Sequence, residues 1–124
     1  MTQENKTSTS YNPDLLRCGI DIGSTSIKCV LIDSGGNVLY HKYTRHHASI
    51  LPVLMEMLLE ASAVCNERPV EFMFTGSIGM GIAERLELPF NQEVLSSIKF
   101  VQEKHPDIKT FIDIGGEDAK MIFF

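Results

Sequence analysis

Two apolar runs flank a short polar segment near the start of the chain. Ile20 and Ile22 belong to the first run, residues 27–32 form the second, and residues 23–26 between them are Gly-Ser-Thr-Ser. Small and hydroxyl-bearing residues between apolar runs are typical of a β-hairpin. The pattern predicts strand, tight turn and strand, with Asp21 inside the first strand and close to the turn.

The next segments predict a third strand and a long helix. A turn signal at residues 34–37 and a partly alternating run at 38–43 indicate that residues 17–43 form an antiparallel three-stranded meander. Apolar residues then recur at three- and four-residue steps, which predicts a helix with Ser49 as its N-cap. These residues are Ile50, Leu51, Leu54, Met57, Leu58, Ala61, Val64 and Cys65.

The second half of the chain alternates between the two kinds of element. The pattern predicts a strand at 70–75, a short helix at 82–86, an extended segment or loop at 89–93, a helix at 94–104, and strands at 110–114 and 119–124. A strand reached through a helix after an antiparallel hairpin implies a mixed sheet with helices on its faces. The predicted fold class is therefore α/β.

Composition narrows the class of protein. With 124 residues, of which 44% are hydrophobic and 22% charged, the chain is one domain or part of one, with a packed core. The net charge of −5 argues against a general nucleic-acid surface. We expect no membrane span and no secretory signal, because no apolar run is long enough and the first residues are polar.

The cysteines and histidines give no metal-binding pattern. Cys18, Cys29 and Cys65 match no zinc spacing, which indicates free thiols and a cytoplasmic location. The histidines have no partner at metal-ligand spacing, so we expect them at the surface or in loops. They are His41, His46, His47 and His105.

Two polar segments have more than one interpretation. Residues 76–81 have the spacing G-x-x-G-x-G, which fits neither a dinucleotide loop nor a P-loop, although Thr75 and Gly76 could border a cleft. Residues 91–93 are Asn-Gln-Glu ahead of a helix. We expect them to cap that helix, with cleft lining as the alternative.

Residues 20–28 and 112–120 repeat one pattern. Each segment is an apolar residue followed by Asp-Ile-Gly, a small or polar turn, and a Lys that opens an apolar strand. A single copy is an ordinary hairpin whose Asp hydrogen-bonds its own turn. Two copies could face each other across a cleft and hold one polyphosphate, with Asp21 and Asp113 near its Mg²⁺. The repetition favours phosphate binding.

Four segments together resemble the BadF/BadG/BcrA/BcrD ATPase family, which activates 2-hydroxyacyl-CoA dehydratases and benzoyl-CoA reductases. They are residues 19–28, 75–79, 89–93 and 112–120. The two Asp-Ile-Gly turns look like the phosphate-1 and phosphate-2 motifs of the wider actin-like and sugar-kinase ATPase superfamily. The resemblance implies a ribonuclease-H-like fold, with a first lobe over residues 15–109 and the first hairpin of a truncated second lobe over 110–124. Residues 1–14 are rich in Thr, Ser, Gln and Asn, which predicts a disordered leader or a short linker.

The resemblance also implies ATP and Mg²⁺ between the lobes. Asp21 and Asp113 would be the catalytic, metal-associated carboxylates. The nucleotide-binding residues would be Gly23, Ser24, Thr25, Ser26 and Lys28 on one side and Gly115, Gly116, Glu117 and Asp118 on the other.

In that family, ATP hydrolysis drives an electron from a [4Fe–4S] cluster, shared across a homodimer, into a partner dehydratase or reductase. The family's cluster cysteines and adenosine-binding segment come after the second turn, so the cysteines of this chain have no implied cluster role. We therefore expect the N-terminal portion of such an activator, with little ATPase activity on its own. The alternatives are a sugar- or acetyl-type kinase lobe of the same superfamily, or a non-catalytic scaffold lobe.

Overall fold

The computed structural model describes residues 11–115 and 118–124. Most of the predicted leader, residues 1–10, lies outside these ranges. The strands are β1 (Leu16–Ile22), β2 (Ser26–Ile32), β3 (Val38–Arg45), β4 (Val70–Thr75), β5 (Thr110–Ile114) and β6 (Ala119–Phe123), and the helices are α1 (Ile50–Ser62), α2 (Gly79–Leu86) and α3 (Glu93–Lys104).

The first four strands form one mixed sheet in the order β3-β2-β1-β4. The pairs β1–β2 and β2–β3 are antiparallel, whereas β4 runs parallel to β1. This confirms the predicted three-stranded meander within a mixed sheet. Strands β5 and β6 pair antiparallel in a separate two-stranded sheet. The boundary between two lobes at residue 110 remains a prediction.

The core lies on one face of the four-stranded sheet. Residues of β1 and β2 alternate between buried and accessible positions, as the apolar alternation predicts. Helix α1 adds Leu54 and Met57 to this face. The largest fully buried side chains are those of Phe74, Leu16, Ile20, Ile22, Ile27, Leu31, Met57 and Cys29.

Helix α1 is shorter than the periodicity predicts. It ends at Ser62, and Asn66 and Glu67 adopt φ values of 49° and 59°, a left-handed conformation that cannot continue a right-handed helix. Leu51 and Val64 are 62% and 40% exposed, so the predicted apolar stripe is too wide. Ser49 occupies the N-cap position, but its side chain makes no capping hydrogen bond.

Helix α2 begins at Gly79, three residues before the predicted start. The turn after β4 brings the N–H of Ile78 within 2.9 Å of the carbonyl oxygen of Ile22, which fixes the first helical turn against the end of β1. The extended segment before α3 is confirmed, because the N–H of Phe74 donates to Pro89 and the N–H of Asn91 donates to Phe74.

No helix among the described residues is both long and apolar enough to cross a membrane.

Candidate functional site

The predicted phosphate turn is a tight connection between β1 and β2. The N–H of Gly23 donates to the carbonyl oxygen of Ser26 at 3.0 Å, and the N–H of His46 donates to that of Thr25 at 3.1 Å. Ser24 and Thr25 are exposed, whereas Ser26 is buried. The turn thus exposes two hydroxyl-bearing residues to solvent, while hydrogen bonds within the turn and from His46 hold its backbone.

Asp21 lies in β1, between Lys28 of β2 and Thr75 of β4 in the sheet register. Its Oδ2 is 3.4 Å from Nζ of Lys28, and the two side chains are 24% and 51% exposed. Lys28 thus partly compensates the charge of this carboxylate. Because the pair is open to water, the attraction is weak enough for either group to accept another partner.

Gly76 holds the turn after β4 close to the Asp21 carboxylate. Its φ is +94°, and a Cβ at this position would lie 2.5 Å from Oδ1 of Asp21. Only glycine combines this conformation with so close an approach. The neighbouring Thr75 has a buried Oγ1 with no hydrogen-bond partner in the part of the chain that the structure describes. Both residues lie where the sequence suggested a cleft border.

One cavity brings the two repeated motifs together. Its volume is ≈ 520 Å³. The predicted site residues that line it are Asp21, Gly23, Ser24, Thr25, Ser26 and Lys28 from the first motif and Gly115 and Asp118 from the second. Gly116 and Glu117 lie outside the described residues.

A second cavity of ≈ 630 Å³ adjoins the first. Asp21 and Asp113 both line it, and Asp21, Lys28 and Glu93 line both cavities. The two predicted carboxylates therefore line a common cavity, and the two adjoining cavities together are called the cleft below.

Lys120 connects the hairpin to α3. Its Nζ lies 3.3 Å from Oε2 of Glu93 and 3.4 Å from Oδ2 of Asp118. Burial would lower the pKa of Lys120, but the ion pairs with Glu93 and Asp118 outweigh it and raise this pKa. Lys120 is therefore a cation at neutral pH, directly beside the cleft.

The predicted capping role of residues 91–93 is wrong for the side chains. Gln92 is the N-cap residue of α3 without a side-chain capping bond, and Asn91 donates to Oγ of Ser96. Gln92 and Glu93 instead line the first cavity, which is the alternative given by the sequence.

His46 is a residue beside the β1–β2 turn that sequence reasoning did not single out. It lies in the loop after β3, which is one of the two predicted placements, but it is only 4% exposed and therefore not at the surface. His41, His47 and His105 are exposed, as predicted. The signal for His46 is its place in the meander: Arg45 pairs with Ser26, so the next residue reaches the tip of the β1–β2 turn.

The cysteines lie away from the cleft. Sγ of Cys18 is 3.6 Å from Sγ of Cys29 in the core, and Cys65 donates to the carbonyl oxygen of Ala61. The hydrogen bond with Cys29 and burial raise the pKa of the Cys18 thiol. All three are free thiols. The described residues contain no group of three metal-ligating side chains.

Comparisons with known proteins place the fold. No protein-family model and no curated protein matches the sequence. Among solved structures, the chain is similar to component A of the (R)-2-hydroxyglutaryl-CoA dehydratase of Acidaminococcus fermentans, with a TM-score of 0.72 and 24% identity over 88% of this chain and 42% of that one. It is also similar to the activator of the 2-hydroxyisocaproyl-CoA dehydratase of Clostridium difficile with bound ADPNP, with a TM-score of 0.67 and 24% identity over 87% and 40% of the two chains.

The chain is more distantly similar to a phosphatase. The Ppx/GppA phosphatase of Aquifex aeolicus gives a TM-score of 0.56 at 14% identity, over 89% of this chain and 48% of that one. The chain spans less than half the length of each of these three proteins. Together, these likenesses show that the chain has the ribonuclease-H-like fold of the actin-like ATPases.

Proposed function

We propose that this chain is the N-terminal portion of an ATP-binding and ATP-hydrolysing activator of 2-hydroxyacyl-CoA dehydratase-type enzymes. In the proposed reaction, water attacks the γ-phosphorus of ATP and the bond to the ADP oxygen breaks, giving ADP and phosphate. The partner would be a 2-hydroxyacyl-CoA dehydratase or a related reductase, and the parent protein would be a cytoplasmic homodimer of the BadF type.

One observation carries the proposal: residues of both Asp-Ile-Gly motifs line the same cleft. A single acidic hairpin has an ordinary structural explanation. That explanation does not account for two acidic hairpins that face a common space. The likeness to an activator with bound ADPNP supports a nucleotide as the occupant of this space.

The phosphate groups would lie against the first turn. Ser24 and Thr25 offer hydroxyl and N–H donors at an exposed bend, which is the kind of concavity that binds anions. Lys28 adds a positive charge within the same wall. On the facing hairpin, Gly115 and Gly116 would allow close approach, and Glu117 and Asp118 would act through water or the metal ion because their charge repels phosphate.

The residues suit Mg²⁺. Asp21 and Asp113 supply carboxylate oxygens, the ligand type that this ion prefers, and Mg²⁺ commonly takes only one or two protein carboxylates with water and phosphate oxygens completing its shell. The lack of a larger ligand cluster in the described chain is therefore compatible with it. When bound, Mg²⁺ supplies charge neutralisation between the carboxylates and the phosphates.

The residues do not suit a [4Fe–4S] cluster. A [4Fe–4S] cluster takes four thiolates. Cys18 and Cys29 are enclosed in the core and hydrogen-bonded to each other, and Cys65 donates to the end of α1, so these three thiols already have partners within the protein. We derive no step through a cluster from this chain. The proposed electron transfer to the partner would depend on parts of the parent protein beyond these residues.

Calorimetric titration with Mg²⁺–ADPNP tests the proposal. We expect saturable binding that requires Mg²⁺ and is lost when Asp21→Asn and Asp113→Asn are combined. Glu71→Gln is the matched control, because Glu71 is also a carboxylate of this sheet paired with a cation on β1, at 3.5 Å from Arg17, but it does not line either cavity of the cleft. Equal affinity in the double variant and the control would refute nucleotide binding at this cleft.

A further inference from the structure

His46 connects two parts of the backbone through its imidazole ring. Nε2 lies 2.9 Å from the carbonyl oxygen of Gly23 in the predicted phosphate turn, and Nδ1 lies 3.0 Å from the backbone nitrogen of Ala48. Both ring nitrogens are therefore used, and the ring is buried between the turn and the loop that leads to α1.

The partners determine the tautomer of the ring. A carbonyl oxygen only accepts a hydrogen bond, so Nε2 must carry the hydrogen and donate it to Gly23. A backbone N–H only donates, so Nδ1 must be the unprotonated acceptor from Ala48. The two bonds together thus select the tautomer of His46 with its hydrogen on Nε2.

The loop around His46 is wound tightly. His47 and Ala48 have φ values of 47° and 64°, two consecutive residues in the left-handed region without a glycine. Such backbone is costly and persists only where the surroundings impose it. The N–H of Ser49 also donates to the carbonyl oxygen of His46, at 2.7 Å. This strained loop fixes the ring beneath the turn.

The effect on the turn is directional. The carbonyl oxygens of Gly23, Thr25 and Ser26 all accept hydrogen bonds from protein donors, and His46 supplies two of the three, from its ring and its backbone. Negative carbonyl ends are thereby turned toward protein donors instead of the cavity. An anion in the cavity would then lie against Ser24 and Thr25, which line it and carry hydroxyl and N–H donors.

We propose that His46 is a positioning residue that orients the phosphate turn for a nucleotide triphosphate. This inference rests on the proposed function, since it assumes that a phosphate occupies the turn. His46 does not touch the ligand. It acts through the carbonyl of Gly23, so its contribution is preorganised geometry.

Two amide variants separate positioning from stability. In His46→Asn the side-chain oxygen can still accept from Ala48, but the chain is too short to reach Gly23. In His46→Gln the longer amide can donate to Gly23. We expect Mg²⁺–ADPNP to bind about tenfold more weakly to the Asn variant, the value of one lost hydrogen bond, and about as tightly to the Gln variant as to the unmodified protein. Equal affinities in all three proteins, each folded by circular dichroism, would overturn the inference.

A measurement without nucleotide keeps the two proposals distinguishable. Long-range ¹H–¹⁵N spectra of the imidazole should show the hydrogen on Nε2. The N–H of Gly23 donates to Ser26, so its hydrogen exchange reports how firmly the turn is closed. This exchange should become faster in the Asn variant but not in the Gln variant. If the unmodified protein binds no nucleotide, the proposed function fails, and positioning of the turn is then judged by these spectra alone. A hydrogen on Nδ1, or unchanged exchange in the Asn variant, would refute the role of His46.

Discussion

Lys28 and Asp21 face each other directly across the β1–β2 pair, with Nζ and Oδ2 3.4 Å apart at the base of the cleft. The carboxylate is thus partly neutralised before any ligand arrives. In our account, a phosphate oxygen competes for Lys28, which leaves Asp21 free to meet Mg²⁺. The pair would then exchange one internal contact for two contacts with the bound nucleotide.

Lys28→Met should reduce nucleotide affinity more than stability. Because Lys28 is half exposed, we expect the free energy of unfolding to fall by less than about 1 kcal/mol. The dissociation constant of Mg²⁺–ADPNP should rise about tenfold, since a charged donor to phosphate is lost. Urea denaturation and calorimetric titration measure the two effects.

Arg17→Met is the control for this substitution, because Arg17 forms the comparable ion pair with Glu71 on the same sheet but outside the cleft. It should change stability by a similarly small amount and leave the dissociation constant unaltered. A matching loss of affinity in both variants would mean that net charge, and not contact with phosphate, governs binding.

Gly76→Ala should destabilise the protein through the Asp21 carboxylate. The backbone at this position has φ +94° and the new Cβ would meet Oδ1 of Asp21 and the carbonyl of Ile22, so we expect a loss of about 1–3 kcal/mol. Thermal and urea unfolding provide the measurement. Gly81→Ala is the matched control in α2, where a Cβ meets open space, and it should stabilise by about 0.5–1 kcal/mol. Destabilisation of equal size at both positions would refute the close approach.

Leu54→Ala and Leu51→Ala compare the two sides of α1. Leu54 is 3% exposed and Leu51 is 62% exposed. We expect Leu54→Ala to cost about 2–5 kcal/mol of unfolding free energy and Leu51→Ala to stay within about 0.5 kcal/mol of the unmodified protein. Urea denaturation gives both values. Similar costs would show that α1 packs with the wider stripe that its periodicity predicts.

Acidification should weaken the contact between β3 and α1. The hydrogen bonds from Lys42 and Tyr40 hold the pKa of Glu60 below its usual range. A carboxyl group with a lowered pKa in the folded state adds stability above its unfolded pKa and loses it as the pH falls through the folded value. Stability should therefore decline between about pH 5 and pH 3.

Glu60→Gln isolates this contribution, because an amide does not titrate in that range. The difference in unfolding free energy between the two proteins should be constant above about pH 5 and shrink as the pH falls to 3. A difference that stays constant down to pH 3 would contradict the ion pair with Lys42.

The sheet and its first turn were predictable because their signals are local. The alternation of apolar and polar residues in β1 and β2 buries one face of the sheet. Residues 23–26 are small and polar, so the first strand ends there and the chain turns. The repeated Asp-Ile-Gly pattern likewise identified segments that meet at one cleft. Period and turn chemistry require no knowledge of distant residues.

The remaining features depend on contacts between distant segments. The burial of His46 follows from the register of β3 on β2, and the approach of Gly76 to Asp21 follows from parallel pairing across more than 50 residues of chain. The ion pair between Lys120 and Glu93 likewise joins a hairpin to a separate helix. No local sequence pattern encodes contacts between such distant residues, so the sequence could not predict them.

The central claim is that both acidic hairpins face one metal–triphosphate, and paramagnetic broadening tests it most directly. With Mn²⁺–ADPNP in place of the Mg²⁺ complex, ¹H–¹⁵N spectra should lose the amide signals of Ser24 and Thr25 together with those of Ile114 and Gly115. The signals of Arg17 and Phe123, at the far ends of the same two hairpins, should remain. Broadening of only one hairpin, or of neither, would contradict the account.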